Sequence, residues 1–230
     1  MYVSLFEVLE VLLNRPDVLE KVVFDEDCLP GQYRSFRNGQ YYKLNKLLGG
    51  QRNCLSLGLY IDDLEVCNPL GTSRKIHKIT AVYWVLQNLP AKFRSTLPSI
   101  QLELLGKSVD VKEFGFEKFF TPLLKDIGRI EQEGVFVKSL NSHVRGTVFC
   151  VCADNLGAHG LAGFQESFIV DNLCRFCLVN KKEIQTKSGS HFELRTVEQH
   201  NSAVAELKET VAKGVLGVKD ECVLSKHLSY

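Results

Sequence analysis

The residue types that could do chemistry fall in three places: an acidic pair at Asp62 and Asp63, a single acid at Asp154, and a Cys-x-x-Cys at Cys174 and Cys177 with His191 and His200 downstream. Two carboxylates brought close in a partly dry cleft repel, and a hard divalent cation with oxygen ligands, Mg²⁺ or Mn²⁺, relieves the repulsion. Two such ions about 3.5–4 Å apart activate a water or 3′-hydroxyl and stabilise the leaving oxygen of a phosphodiester. Asp62 and Asp154 are 154 − 62 = 92 residues apart, so intervening elements must bring their strand ends together. The bland alternative for each is an aspartate that only caps or turns the chain.

The thiol pair has the two-residue gap of a zinc knuckle, and a tetrahedral site needs two further ligands. His191 and His200 are available for them in the pattern Cys-x₂-Cys-x₁₃-His-x₈-His, with Cys222 or His227 as substitutes. The last gap exceeds the 3–5 residues of a common zinc finger. A redox dithiol is the rival. No strand runs directly from these cysteines into a helix that would lower a thiol pKa, so structural Zn²⁺ is favoured.

The elements that must position these groups belong to a folded chain. At 230 residues, 45% hydrophobic and 24% charged, disorder and collagen-like architectures are excluded. The net charge of +1, from 28 basic against 27 acidic residues, gives no chain-wide field for a phosphate backbone, so any nucleic-acid attraction must be local. Met1 to Leu13 is apolar, but it lacks a basic start and carries Glu7 and Glu10, unlike a signal peptide. No apolar run reaches the ~18 residues of a membrane span. Eight cysteines without an export signal point to reduced thiols or a metal in an intracellular chain.

Leu5, Phe6, Leu9, Leu12 and Leu13 follow a helical period, Asn14 to Asp17 breaks it, and Val18 to Phe24 resumes it. That first helix is expected to start uncapped, as in a chain that has lost upstream sequence. Phe24 to Gly50 reads as a tyrosine-rich loop. From Cys54 the period becomes two, through Leu55, Leu57, Leu59 and Ile61 to the acidic pair, resuming at Leu64 to Cys67 before Asn68-Pro69-Leu70-Gly71. Ile79 to Leu89 and Ile100 to Leu105 are two further strands, with Trp84 in the core.

Phe116, Phe119, Phe120, Leu123, Leu124, Ile127 and Ile130 form one helical stripe. Pro122 suggests that the regular helix begins with Thr121 as its cap, leaving Gly115 to Phe120 as a separate turn, and Gly134 closes it. Val144 to Ala153 is a strand covered on both faces, with Cys150 and Cys152 as small core residues. A loop and short helix follow over Asn155 to Phe168, where His159 is expected to be satisfied by backbone rather than to approach a phosphate. Three antiparallel strands, a helix and a fourth strand are the opening of an RNase H-like mixed α/β sheet, in which a carboxylate on the first strand meets one at the end of the fourth. The expected organisation is an N-terminal helical and loop segment over 1–50, the RNase H-like core over 51–170, and a zinc insertion with a helical tail over 171–230.

The stretches YIDDLEVCNPLG (Tyr60 to Gly71), VYWVLQNLPAKFRS (Val82 to Ser95), VCADNLGAHGLAGF (Val151 to Phe164) and CRFC (Cys174 to Cys177) resemble, in that order, the catalytic region of CACTA (En/Spm)-type DNA transposases and their relatives. The resemblance implies Asp62 as the first metal-binding carboxylate, Asp63 as the alternative in an uncertain register, and Asp154 as the second. Adjacent strand residues face opposite ways, so only one of Asp62 and Asp63 can serve. It further implies a zinc element interrupting the core, transposon-end DNA as partner, nuclear residence, and metal-dependent strand cleavage and transfer in the complete protein, with oligomeric state left open.

The family places its last catalytic acid on a helix after a fifth strand, and no such segment is evident before Tyr230. Glu206 and Glu209, in the helical run Val204 to Lys213, lack the preceding strand. The resemblance therefore implies an incomplete, impaired core, or a non-catalytic remnant that binds DNA or protein. Arg74, Lys75, His77 and Lys78, and separately Lys92 with Arg94, are the basic clusters available to a DNA backbone, at opposite ends of the second strand.

Overall fold

Leu5, Leu9 and Leu13, one helical turn apart, are each fully buried, and that apolar face docks the first helix, worth roughly 1.5–3 kcal/mol per side chain. The computed structural model describes residues 1–24, 31–51, 53–65, 77–167, 169–187 and 192–229. It divides into two compact units, Met1–Cys152 with Leu228–Tyr230, and Ala153–His227.

In the first unit, α1 (Leu5–Leu13) is capped after all: the Ser4 hydroxyl accepts the Glu7 N–H at 3.3 Å, and the Asp126 carboxylate accepts the Phe6 N–H at 3.0 Å. The expected resumption over Val18 to Phe24 shrinks to α2 (Pro16–Leu19), which starts on proline and leaves Val22 to Phe24 outside helix. The expected tyrosine-rich loop contains a turn capped by Ser35 and then α3 (Gln40–Leu44), which buries Tyr42 against Leu47, Leu48 and Cys54.

Strands β1 (Cys54–Glu65) and β2 (Lys78–Leu86) are followed by α4 (Ala91–Arg94), β3 (Gln101–Lys107), α5 (Ser108–Gln132), β4 (Val135–Val137) and β5 (Ser142–Ala153). They build a mixed five-stranded sheet in the order β3-β2-β1-β5-β4. β1 with β2, β2 with β3, and β4 with β5 are antiparallel, so the mixed character resides in β1 beside β5. Those two strands approach closely at Gly146, where a Cβ would lie 2.6 Å from that of Leu55.

Four of the stripe residues in α5, Phe120, Leu123, Ile127 and Ile130, are fully buried, as the period required. The break falls elsewhere than expected. Gly115, at φ 82°, takes a backbone conformation that residues with a Cβ rarely adopt, and the kink sits there. Pro122 is carried inside the helix, and the Thr121 hydroxyl bonds back to the Glu117 carbonyl at 2.9 Å instead of capping a start. The short β4 was absent from the sequence reading. The Asn14 side chain holds it, donating to the Phe136 carbonyl and accepting the Lys138 N–H, at 2.9 and 2.8 Å.

The second unit holds α6 (Asn155–Leu161), α7 (Glu183–Thr186), α8 (Val197–Glu209) and α9 (Val223–His227). Its core is Phe164, Ala203 and Val218. Thr196 and Gln199 form a capping box at the start of α8, which begins before the expected Val204.

Candidate functional site

β1 runs from buried to open, and the acidic pair stands at its open end, with Asp62 opposite Ala81 and Asp63 opposite Thr80. Strand alternation sends the two side chains to opposite faces. Asp63 Oδ1 accepts the Thr80 hydroxyl at 2.6 Å and the Ser108 hydroxyl at 3.0 Å, and the oxygens of these two buried hydroxyls lie 3.0 Å apart. Ser108 is the first residue of α5, so this clamp ties the end of β1 to the start of the long helix. Asp62 is held more lightly. Its Oδ1 accepts the Asp63 N–H at 2.8 Å and its Oδ2 the Tyr60 hydroxyl at 3.4 Å, both neutral donors that leave lone pairs for a cation.

Asp154 directly follows β5, belongs to the second unit, and is the N-cap of α6: its Oδ1 accepts the Gly157 N–H at 2.6 Å. That is the capping role of the bland alternative, and it occupies one oxygen. His159 lies on α6, buried, with Nδ1 3.0 Å from the Gln165 carbonyl, satisfied by backbone as expected. Trp84 is core, whereas Cys152 is exposed, contrary to the expected core role; Cys150 is half-buried, and burial pushes its thiol up to about 11.

Cys174 and Cys177 form a tight turn in which Cys174 Sγ accepts the Phe176 N–H at 3.4 Å. Burial works to raise the Cys174 thiol, but the Phe176 N–H, the Cys177 side chain and N–H, and the Arg175 charge outweigh it and leave it below the usual range. Burial holds the Cys177 thiol above it. The Phe176 carbonyl accepts the Arg195 N–H at 3.0 Å, and the Leu178 N–H donates to the Glu193 carbonyl at 2.9 Å, anchoring the turn. N–H groups aimed at sulfur suit a thiolate ligand, so the pair fits half of a zinc site. The His200 ring packs 5.4 Å from that of Phe164, with its pKa lowered by burial and the Arg195 charge. His191 lies outside the described residues, as do Arg74, Lys75 and the Asn68-Pro69-Leu70-Gly71 turn. Among the described residues, no three His, Cys, Asp or Glu side chains gather as a metal site.

Of the basic clusters, Lys78 starts β2, while Lys92 and Arg94 lie in α4 beyond its other end. Lys92 stands 4.8 Å from the Phe93 ring centre and Arg94 donates to the Gln87 side chain at 2.5 Å.

Three polar residues escaped the sequence reading. Asn88, in the Asn-Leu-Pro segment, is 1% exposed; it accepts the Ser56 N–H at 2.8 Å and donates to the carbonyls of Cys54 and Val23 at 3.0 and 3.1 Å. Asp126 gathers the Tyr2 and Ser4 hydroxyls, at 2.5 and 2.7 Å, besides the Phe6 N–H. Glu103 on β3 is 0% exposed, with neither oxygen hydrogen-bonded among the described residues. Burial, then the Asp126 charge, raises its carboxyl to about 8, and the nearby Leu5 N–H offsets only part of this. A carboxylate flanked on both sides by leucines, Leu102 and Leu104, was the available signal for Glu103.

No family model and no curated protein matches the chain. The class defined by fold is a mixed α/β protein built on a five-stranded sheet. Among its described residues no helix is long and apolar enough to cross a membrane.

Proposed function

We propose that the chain is transposon-derived and carries part of the RNase H-like catalytic domain of a DNA transposase. The observation that carries this reading is the strand order: an antiparallel β1-β2-β3 meander, the helix α5, and, after the short edge strand β4, the strand β5 beside β1, with acids at the end of β1 and immediately after β5. Asp62 is the first metal-binding carboxylate because, among the described residues, its oxygens meet two neutral donors, whereas Asp63 is committed to the Thr80 and Ser108 hydroxyls and positions the strand end. Asp154 is the second, holding α6 with one oxygen. Mg²⁺ or Mn²⁺ held by such carboxylates would supply charge neutralisation and a water activated for attack on a phosphodiester. Cys174 and Cys177 would hold structural Zn²⁺, with transposon-end DNA as partner and the nucleus as location.

The second reading, a non-catalytic remnant that binds DNA or protein, is favoured by one observation: among the described residues no three His, Cys, Asp or Glu side chains gather as a metal site. A missing ligand costs affinity and alignment, so the cleavage activity is impaired relative to a complete transposase. The test is nicking of supercoiled plasmid in Mg²⁺ or Mn²⁺ by the parent, Asp62→Asn and Asp154→Asn. Nicking by the parent that both variants lose supports the catalytic reading. Equal nicking by all three refutes the assigned roles, and an inert parent leaves the second reading.

A further inference from the structure

The second unit contains an open cavity of about 760 Å³ that the carboxylate chemistry does not use. Its wall carries Arg175, Arg195 and Lys208 against one acid, Glu221, together with the rings of Phe164 and Phe176. Glu221 is already spent on Lys208, 3.0 Å away. Neither arginine has a carboxylate within ion-pair distance among the described residues, and Arg175 donates through Nη1 to the Asn155 side-chain carbonyl, leaving its other N–H groups for a ligand. Arg195 donates through Nη2 to the Leu216 carbonyl at 2.6 Å and the Cys174 carbonyl at 3.4 Å, while its Nε and Nη1 are buried without a partner. Buried N–H groups of a guanidinium without an acceptor are costly, and an anion in this cavity is the partner they lack.

The rings supply the other half of the chemistry. The Arg195 guanidinium lies 5.0 Å from the Phe164 ring centre and the Arg175 guanidinium 4.5 Å from that of Phe176. Phe176 is 65% exposed, yet its backbone is fixed by the N–H···S bond to Cys174 and by the bond from the Arg195 N–H. An exposed, backbone-anchored ring flanked by a guanidinium is a stacking platform for a planar base, and guanidinium forks match phosphate oxygens. The volume lies within the range of small-molecule sites.

We propose that this cavity binds a nucleotide, with its phosphate on Arg175 and Arg195 and its base stacked on Phe176. The ligand is a free mononucleotide or one nucleotide of a single strand. The proposal does not rest on the carboxylate reading, because it needs neither Asp62 nor Asp154 and no divalent metal.

The test is equilibrium binding without added metal, using thymidine 5′-monophosphate, a short fluorescent oligothymidylate and inorganic phosphate as probes. Nucleotide-bearing probes should bind, Phe176→Ala should weaken binding about 5- to 100-fold, from the worth of a base–aromatic stack, and Arg175→Gln should weaken it through the lost phosphate contact. Phe176→Leu, which keeps apolar volume without a ring, should weaken it too, and the exposed control Val211→Ala should not. Monophosphate binding identifies a free nucleotide, and binding of the oligonucleotide alone identifies a strand. Absence of binding by every probe, inorganic phosphate binding as tightly as the nucleotide, or variants that match the parent would overturn the proposal. Since plasmid nicking depends on metal and on the two acids, either proposal can fail while the other stands.

Discussion

Replacing Glu103 by glutamine should flatten the pH dependence of stability. The carboxyl moves from an ordinary 4.5 to about 8 in the folded chain, so between those values the native state holds a proton that the unfolded state has released. Its contribution is full at low pH and is lost as pH rises through the folded value. At 1.36 kcal/mol per tenfold change in proton affinity the whole shift is worth about 5 kcal/mol at most, and about 3 kcal/mol of the parent's stability goes between about pH 5 and pH 8. Glutamine keeps the shape but has no proton to lose, at a cost of roughly 1–3 kcal/mol for burying an unpaired amide at every pH. Urea unfolding followed by circular dichroism at both pH values gives the two slopes. The parent should lose about 3 kcal/mol more than Glu103→Gln on going from pH 5 to pH 8. Equal losses in the two proteins would show that Glu103 does not titrate from a buried, unpartnered state.

Asn88→Ala should destabilise the chain by roughly 2–4 kcal/mol in urea unfolding, because it strands the buried Ser56 N–H and the Cys54 carbonyl together; a loss below about 0.5 kcal/mol would contradict the clamp. Asp154→Ala should cost about 0.5–2 kcal/mol of stability through loss of the α6 cap, while Asp154→Asn, which keeps an acceptor, should cost little. If both melt alike, the cap contributes nothing. Zn²⁺ content of the purified chain, measured by mass spectrometry, should drop to background in Cys174→Ser, and unchanged content would assign the metal elsewhere.

The sheet was legible where burial is periodic. Leu55, Leu57, Leu59 and Ile61 alternate with smaller or polar residues and announce the strand, although both faces of β1 are buried from Cys54 to Leu59, and the stripe from Phe120 to Ile130 follows the helical period because α5 buries one side. What escaped depends on contacts distant in sequence. The three residues of β4 carry too little pattern to announce a strand, and their partner Asn14 lies over a hundred residues away. Gly115 bends α5 by taking a positive φ, although Pro122 was the stronger local signal. For the candidate site, the sequence named the acids, but the choice between Asp62 and Asp63 needed the hydroxyls of Thr80 and Ser108, 17 and 45 residues further along. Asp126 and Glu103 were missed because their surroundings are assembled by α1, β3 and α5 together.

The most direct measurement is anomalous diffraction from crystals of the chain soaked in Mn²⁺. The account predicts that Asp62 and Asp154 each have a carboxylate oxygen about 2.0–2.3 Å from an anomalous peak, the distance expected of a small hard cation. Either carboxylate left without a peak would contradict it.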